Sequence, residues 1–247
     1  MMPVTIPEAV VWHDVECGGY DADLPLWRSL ARGAGGPILD VGAGTGRVSL
    51  DLLRHGHDVT ALDQDRELLD ALSQRAARVH LGARLTTVPA DARAWAVDRR
   101  FALIIVPMQT VQLLGGPEGR GRFLAAARAH LAPGGLVAAA VADELEGFDA
   151  ADGFAPAPDI REVAGVVFSS RPVALRDEGA AFAIHRVRET MGPAGHRTSE
   201  DDVIRLDHLD AETLCAEAGA GGLMPEPPQR IAETDEHVGS VVVMLRG

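Results

Sequence analysis

The chain contains no lysine and no asparagine; all 23 residues in its Lys+Arg count are arginine. Chemistry that needs a lysine amine is therefore excluded, namely Schiff-base catalysis and the phosphate loop whose lysine reaches the outer phosphates of a nucleotide. The preference for arginine fits the codon usage of a GC-rich bacterial genome. Positive charge is scarce overall: 23 Lys+Arg stand against 36 Asp+Glu, a formal net charge of -13 with a pI near 5.0. A nucleic-acid partner needs a basic face, and so does docking on anionic lipid; neither is expected here. Cysteine is limited to Cys17 and Cys215, far apart and without metal-ligand spacing. Two reduced thiols and a cytoplasmic location are the expectation. The N-terminus lacks the basic-then-apolar pattern of a signal peptide, and no apolar run approaches the ~20 residues that span a bilayer. There is no internal repeat, no Gly-x-Ser-x-Gly elbow and no His/Cys/Asp spacing that suits a metal.

The most informative stretch that is present is Ile38-Leu39-Asp40-Val41-Gly42-Ala43-Gly44-Thr45-Gly46-Arg47. An apolar run ends in a carboxylate, passes three alternate glycines and enters the amphipathic segment 48–53. This predicts a buried strand, a tight turn and a helix N-terminus, where an α/β sheet presents backbone N–H groups to a ligand. A dinucleotide fingerprint places its third glycine where Arg47 stands; here it comes one residue early.

Further strands are predicted at 57–62, 85–88, 101–106 and 136–142. Helices are predicted from Asp23 (capped by Asp21 or Asp23), from Asp65, and over 121–131. Alternation of this kind means a parallel doubly wound sheet. After residue 143 the texture changes. A Gly/Ala/Pro/Asp loop over 147–158 precedes short β-branched runs at 163–169, 173–176, 181–190 and 203–206, which predict antiparallel hairpins. A helix from Asp210 and strands at 230–233 and 240–245 close the chain.

The D-x-G-x-G-x-G pattern resembles motif I of the class I S-adenosylmethionine-dependent methyltransferases. The segment 12–27 resembles a lid found in their small-molecule branch, which includes glycine and aminosugar N-methyltransferases. The resemblance implies an α/β, Rossmann-like doubly wound sheet of seven strands, the last antiparallel, with a hairpin-rich antiparallel cap insertion. Residues 1–143 would be lid and cofactor-binding core, 144–207 the cap over the substrate site, and 208–247 the closing helix and strands. S-adenosyl-L-methionine, leaving as S-adenosyl-L-homocysteine, is the implied cofactor. Asp40 and the turn residues Gly42, Ala43, Gly44 and Gly46 would meet it first. Asp63, about 20 residues past the first glycine, would accept from the ribose hydroxyls, with Gln64 beside it. Asp91 would accept from the adenine amine while the Ala92 N–H serves a ring nitrogen. Pro107 and Met108 would lie beside the sulfonium, and Tyr20 would close over the methionine end.

Gln109, Gln112 and Arg161 are candidate substrate contacts. His185 shares a strand face with Ala183 and Val187, and would be a general base if the hairpins roof the site; a histidine paired inside the sheet is the alternative. The implied reaction is in-line methyl transfer to an N or O nucleophile of a small molecule, catalysed mostly by positioning and desolvation. Two other classes compete. A nicotinamide dehydrogenase needs the later glycine and a catalytic Tyr-Lys pair or His; a cofactor-binding partner or regulator without transferase activity would show tight cofactor binding and no acceptor. Exposed hairpin edges would allow pairing into a homodimer.

Overall fold

The structure is a computed structural model describing residues 6–142, 145–153, 155–234 and 237–247. The chain divides into two compact units, Met1–Tyr20 with Leu145–His208, and Asp21–Glu144 with Leu209–Gly247. The N-terminal segment, expected with the core, thus groups with the antiparallel sheet; the expected junction at 143/144 lies outside the described residues. In chain order the elements are α1 (Glu8–Cys17), α2 (Leu24–Ala34), β1 (Ile38–Val41), α3 (Arg47–Arg54), β2 (Val59–Asp63), α4 (Arg66–Arg78), β3 (Leu85–Pro89), β4 (Phe101–Val106), α5 (Gly116–His130) and β5 (Leu131–Val141). They continue with β6 (Phe148–Asp149), β7 (Asp159–Val163), β8 (Val166–Asp177), β9 (Ala181–Met191), β10 (Arg197–Asp207), α6 (Ala211–Ala220), β11 (Met224–Ile231) and β12 (Ser240–Arg246).

The larger unit is a seven-stranded sheet in the order β11-β12-β5-β4-β1-β2-β3. β4, β1, β2, β3 and β5 are parallel, and β12 runs antiparallel to both its neighbours. All four residues of β1 are buried, as are five of six in β4 and six of seven in β12. Strands buried on both faces need continuous apolar runs, and these segments supply them. Helix starts follow their capping chemistry only in part. Asp65 accepts from the N–H groups of Glu67 and Leu68, and Asp210 from that of Thr213, as N-caps do. Asp23 does not cap α2 with its side chain. It is fully buried, accepting from Trp27 Nε1 at 2.8 Å and from the guanidinium of Arg47. Arg120, 2 % exposed, makes a two-pronged pair with Glu217 that ties α5 to α6.

The smaller unit is a five-stranded antiparallel sheet, β10-β9-β8-β6 with β7 on β8. The runs at 163–169 and 173–176 were expected as separate strands, but β8 continues through Arg171-Pro172 with a bulge between Pro172 and Ala174. Proline lacks the N–H a regular ladder needs, and a bulge is where a sheet tolerates it. α1 packs on β7 and β8. Trp12 meets Phe168 edge-on at 5.3 Å, and Glu16 accepts from Arg188 Nε (2.8 Å), Arg188 Nη2 (2.9 Å) and Ser170 Oγ (2.8 Å). Burial pushes the Glu16 carboxyl up, but Arg188, Arg186 and Ser170 outweigh it and hold it below the ordinary glutamate value.

Candidate cofactor site

The carboxyl ends of β4, β1, β2 and β3 lie side by side, so the loops that follow them form one continuous edge. Along it stand Pro107 and Met108 after β4, Asp40 and the glycine turn at β1, Asp63 ending β2, and Asp91 and Ala92 beyond β3. With strands ~4.8 Å apart, these four positions cover roughly 14 Å. That is the length of a nucleoside carrying a short tail, and it is where open α/β sheets bind ligands.

At the turn, Gly42 (φ +70°) and Gly46 (φ +94°) occupy left-handed backbone. A Cβ on Gly42 would come within 2.5 Å of Thr110 Cγ2, and one on Gly46 within 2.1 Å of Leu72 Cδ1. Both positions therefore admit only glycine. The turn's amides depart from expectation. Gly42 and Ala43 donate to the Leu62 carbonyl (2.8 and 3.1 Å), Gly46 donates to the Ala43 carbonyl (2.9 Å), and Gly44 donates to Asp63 Oδ2 (2.8 Å). These four N–H groups are bonded inside the fold, so the turn offers close approach and not a nest of free donors. A pyrophosphate needs such donors.

Asp40 is 1 % exposed. Its Oδ2 accepts from Ser49 Oγ at 2.6 Å, and its Oδ1 has no hydrogen-bond partner. Burial pushes its carboxyl up to about 7, against the opposing effects of Ser49 and Arg47. An unsatisfied buried acceptor at the mouth of β1 suits a cationic or donating group. Asp63 accepts from Gly44 through Oδ2 and from the Asp65 N–H through Oδ1 (2.9 Å), leaving one lone pair on each oxygen. Two adjacent ribose hydroxyls need two such acceptors. Gln64 beside it is exposed. Asp91 is gripped by Arg93, whose Nη2 lies 2.6 Å from Oδ2 and whose backbone N–H donates to Oδ1 at 2.8 Å. These bonds hold the Asp91 carboxyl at about 2.

After β4 the backbone is strained: Met108 has φ +55°, rare for a residue with a side chain. Such conformations persist where the surroundings force them, commonly at binding sites. Gln109 is half-buried. Gln112 is 1 % exposed; its Nε2 donates to the Ala142 carbonyl (3.1 Å) and its Oε1 accepts from the Ala142 N–H (2.9 Å). Both ends of that amide fasten the β4 loop to the end of β5, a positioning role in place of the expected substrate contact.

The larger unit thus holds thirteen of the expected site residues, whereas Tyr20, Arg161 and His185 belong to the smaller one. Tyr20 is buried. Arg161 is half exposed and reaches the Asp14 carbonyl at 3.4 Å. His185 Nε2 is buried without a partner. Sequence reasoning missed Ser49, Thr110 and Arg93. Only Ser49 carried a signal, a polar residue among the buried positions of α3.

The sheet order, its one reversed strand and the glycine turn over a buried carboxylate define the class I methyltransferase fold. Residues 38–135 match the family model described as a methyltransferase domain. No curated protein sequence matches it. It is similar in structure to an S-adenosylmethionine-bound amino pentose methyltransferase from Micromonospora echinaspora (TM-score 0.72, 18% identity, 98% of this chain and 99% of that one). It is also similar to a sugar N-methyltransferase from a Streptoalloteichus species (TM-score 0.72, 18% identity, 96% and 92%). A third likeness is to a glycopeptide N-methyltransferase in complex with S-adenosyl-L-homocysteine (TM-score 0.61, 23% identity, 88% and 86%).

Proposed function

We propose that the chain transfers a methyl group from S-adenosyl-L-methionine to the amine of a hydroxylated small molecule. One observation carries the cofactor assignment: the buried Asp40 Oδ1, unpartnered beside a turn whose amides are already bonded. That arrangement rejects phosphate and accepts an ammonium. Asp40 would hold the amino-acid end, Asp63 the ribose hydroxyls, Asp91 and Ala92 the adenine edge, and Pro107 and Met108 the region next to sulfur. When bound, the cofactor supplies a methyl group already activated for displacement. The protein's share is orientation and exclusion of water, worth several powers of ten in rate. Apolar Pro107 and the strained Met108 fix one wall, and Gln112 holds that loop to β5. Support for an amine acceptor comes from the sugar and glycopeptide N-methyltransferases that the chain resembles.

Among the described residues neither Cys17 nor Cys215 is in a disulfide, and the cytoplasm is the compartment we propose. Among the described residues no helix is long and apolar enough to cross a membrane.

Calorimetry with S-adenosylmethionine and S-adenosylhomocysteine tests the first half, with micromolar binding expected and loss of binding in Asp40→Ala. A homocysteine-release screen over amines and phenols tests the second. Turnover confined to phenols would replace the amine with an oxygen acceptor, and tight cofactor binding with no turnover on any acceptor would leave a binding protein.

A further inference from the structure

The loop after β3 is anchored through its backbone on both sides of Asp91. The Ala90 N–H donates to the Asp63 carbonyl at 2.9 Å, and the Ala94 N–H donates to the Asp91 carbonyl at 2.9 Å. What the backbone leaves free is rotation of the Asp91 side chain, and Arg93 removes it. Besides the bonds from its Nη2 and its backbone N–H, Arg93 donates from Nε to Oδ1 at 2.9 Å, shared with Oδ2 at 3.1 Å. Each carboxylate oxygen offers two lone pairs. Both on Oδ1 are taken by Arg93, while among the described residues Oδ2 keeps one open.

Arg93 is backed in turn by α5. A Cβ on Gly115 would stand 3.6 Å from Arg93 Nη1, and one on Gly119 3.3 Å from its Cδ. The arginine stem therefore lies along the start of α5, over two residues with no side chain to displace it. Arg93 and Asp91 are each more than a third exposed, and an ion pair so exposed adds little to stability. Its effect is on geometry. A planar guanidinium gripping both oxygens fixes the plane of the carboxylate, which a lysine ammonium does not.

We propose that Arg93 is a positioning residue that sets the base specificity of the cofactor site, by holding Asp91 with a single acceptor open to a 6-aminopurine. The proposal rests on the reading that Asp91 meets the adenine edge. An amine at that carbon donates an N–H, which one lone pair satisfies. A purine with a carbonyl there sets an acceptor against an acceptor, and a carboxylate held in one orientation cannot turn away. Discrimination then comes from repulsion of the wrong base as much as from attraction of the right one. Freed from Arg93, Asp91 would stay ionised at neutral pH but rotate, holding the amine less firmly and tolerating the carbonyl.

Calorimetry compares S-adenosyl-L-homocysteine with S-inosyl-L-homocysteine, whose purine carries that carbonyl. Wild-type protein should prefer the adenosyl compound about a hundredfold. Arg93→Met keeps a stem on α5 and removes the guanidinium. It should narrow the preference to about tenfold, weakening the adenosyl compound without weakening the inosyl one. Arg93→Lys keeps the charge but cannot grip both oxygens, so it should narrow the preference as well, and either variant tests the proposal. Equal loss of affinity for both compounds in Arg93→Met, or a wild-type preference in Arg93→Lys, would overturn it. Asp91→Asn separates the two levels. A preference abolished there but intact in Arg93→Met refutes the role of Arg93 alone. A preference intact in Asp91→Asn, or absent from wild-type protein, removes Asp91 from the adenine edge and the proposal with it.

Discussion

The two units are held by different forces. In the larger one nearly every residue of β1, β4 and β12 is buried and apolar, and polar side chains appear at strand ends. In the smaller one the fully buried apolar residues of the sheet are few: Ala174, Leu175, Ala183 and Leu206. Its helix α1 is fastened by charge, through Glu16, Arg186, Arg188 and Asp202, with Arg188 also lying 5.3 Å over the Trp12 ring. Apolar burial is non-directional and is not screened by salt. Ion pairs are directional and respond to both pH and ionic strength. The larger unit is built as a scaffold, and the smaller one as a part whose stability conditions can tune.

The largest expected effect is in the scaffold. Gly46→Val sets a branched side chain at φ +94° against Leu72, and should cost about 4 kcal/mol in urea unfolding followed by Trp27 and Trp95. A variant as stable as wild type would break the account of the turn. Next comes Arg47→Gly, which restores the glycine position of a dinucleotide fingerprint. It strands the buried Asp23 carboxylate and should cost about 3 kcal/mol. It should gain no NADH binding, because the turn's amides remain bonded to Leu62, Asp63 and Ala43. Glu16→Ala should cost the smaller unit about 2 kcal/mol, discounted because Arg188 is partly exposed, and Trp12 fluorescence in Trp27/Trp95-substituted protein reports it.

A pH series sharpens the contrast, since Glu16 in the smaller unit and Asp40 in the larger respond with opposite sign. The Glu16 carboxyl is lowered, so its stabilisation is present above the ordinary glutamate value of 4.5 and is lost as pH falls through the lowered one. The Asp40 carboxyl is raised to about 7, so its contribution is full below 3.8 and is shed as pH rises toward 7. Acid should therefore remove the contribution of Glu16 while leaving that of Asp40 in place. The same Asp40 makes binding of an ammonium release a proton. S-adenosylmethionine affinity should fall by up to about tenfold per pH unit below 7, and Asp40→Asn should flatten that profile. The smallest effect is Asp65→Ala, about 1 kcal/mol for a lost helix cap, read as a shift in the urea midpoint.

What was legible in the sequence follows the same division. β4 was located to the residue because a strand buried on both faces has nowhere to place a polar group. The glycine turn, the place of Asp63 at the end of β2, and the Asp65 and Asp210 caps were legible for local reasons. Where pairing partners decide, the sequence is silent. β11 runs through Met224-Pro225-Glu226-Pro227-Pro228, a segment that proline argues against. It survives as an edge strand with a bulge between Glu226 and Gln229. β10 includes Ser199-Glu200-Asp201-Asp202, a polar run that no periodicity marks as a strand; it pairs along its full length with β9. α1 went unseen because its apolar residues gather in one short cluster, Val10, Val11, Trp12 and Val15. Asp23 was expected as a cap, since nothing local reveals an arginine 24 residues away.

The closed bonding of the glycine turn has a consequence for exchange. Amides that donate within the fold do not wait for a ligand to organise them, so the cradle keeps its shape when empty and its protons should exchange slowly with solvent throughout the catalytic cycle. Binding then costs little ordering, and release of the spent nucleoside disturbs little. Donor and by-product differ by a methyl group and a charge at sulfur, and a cradle this rigid holds their shared adenosine equally well. On the proposed reading, inhibition by the by-product is the expected outcome, and only the walls near sulfur would relieve it.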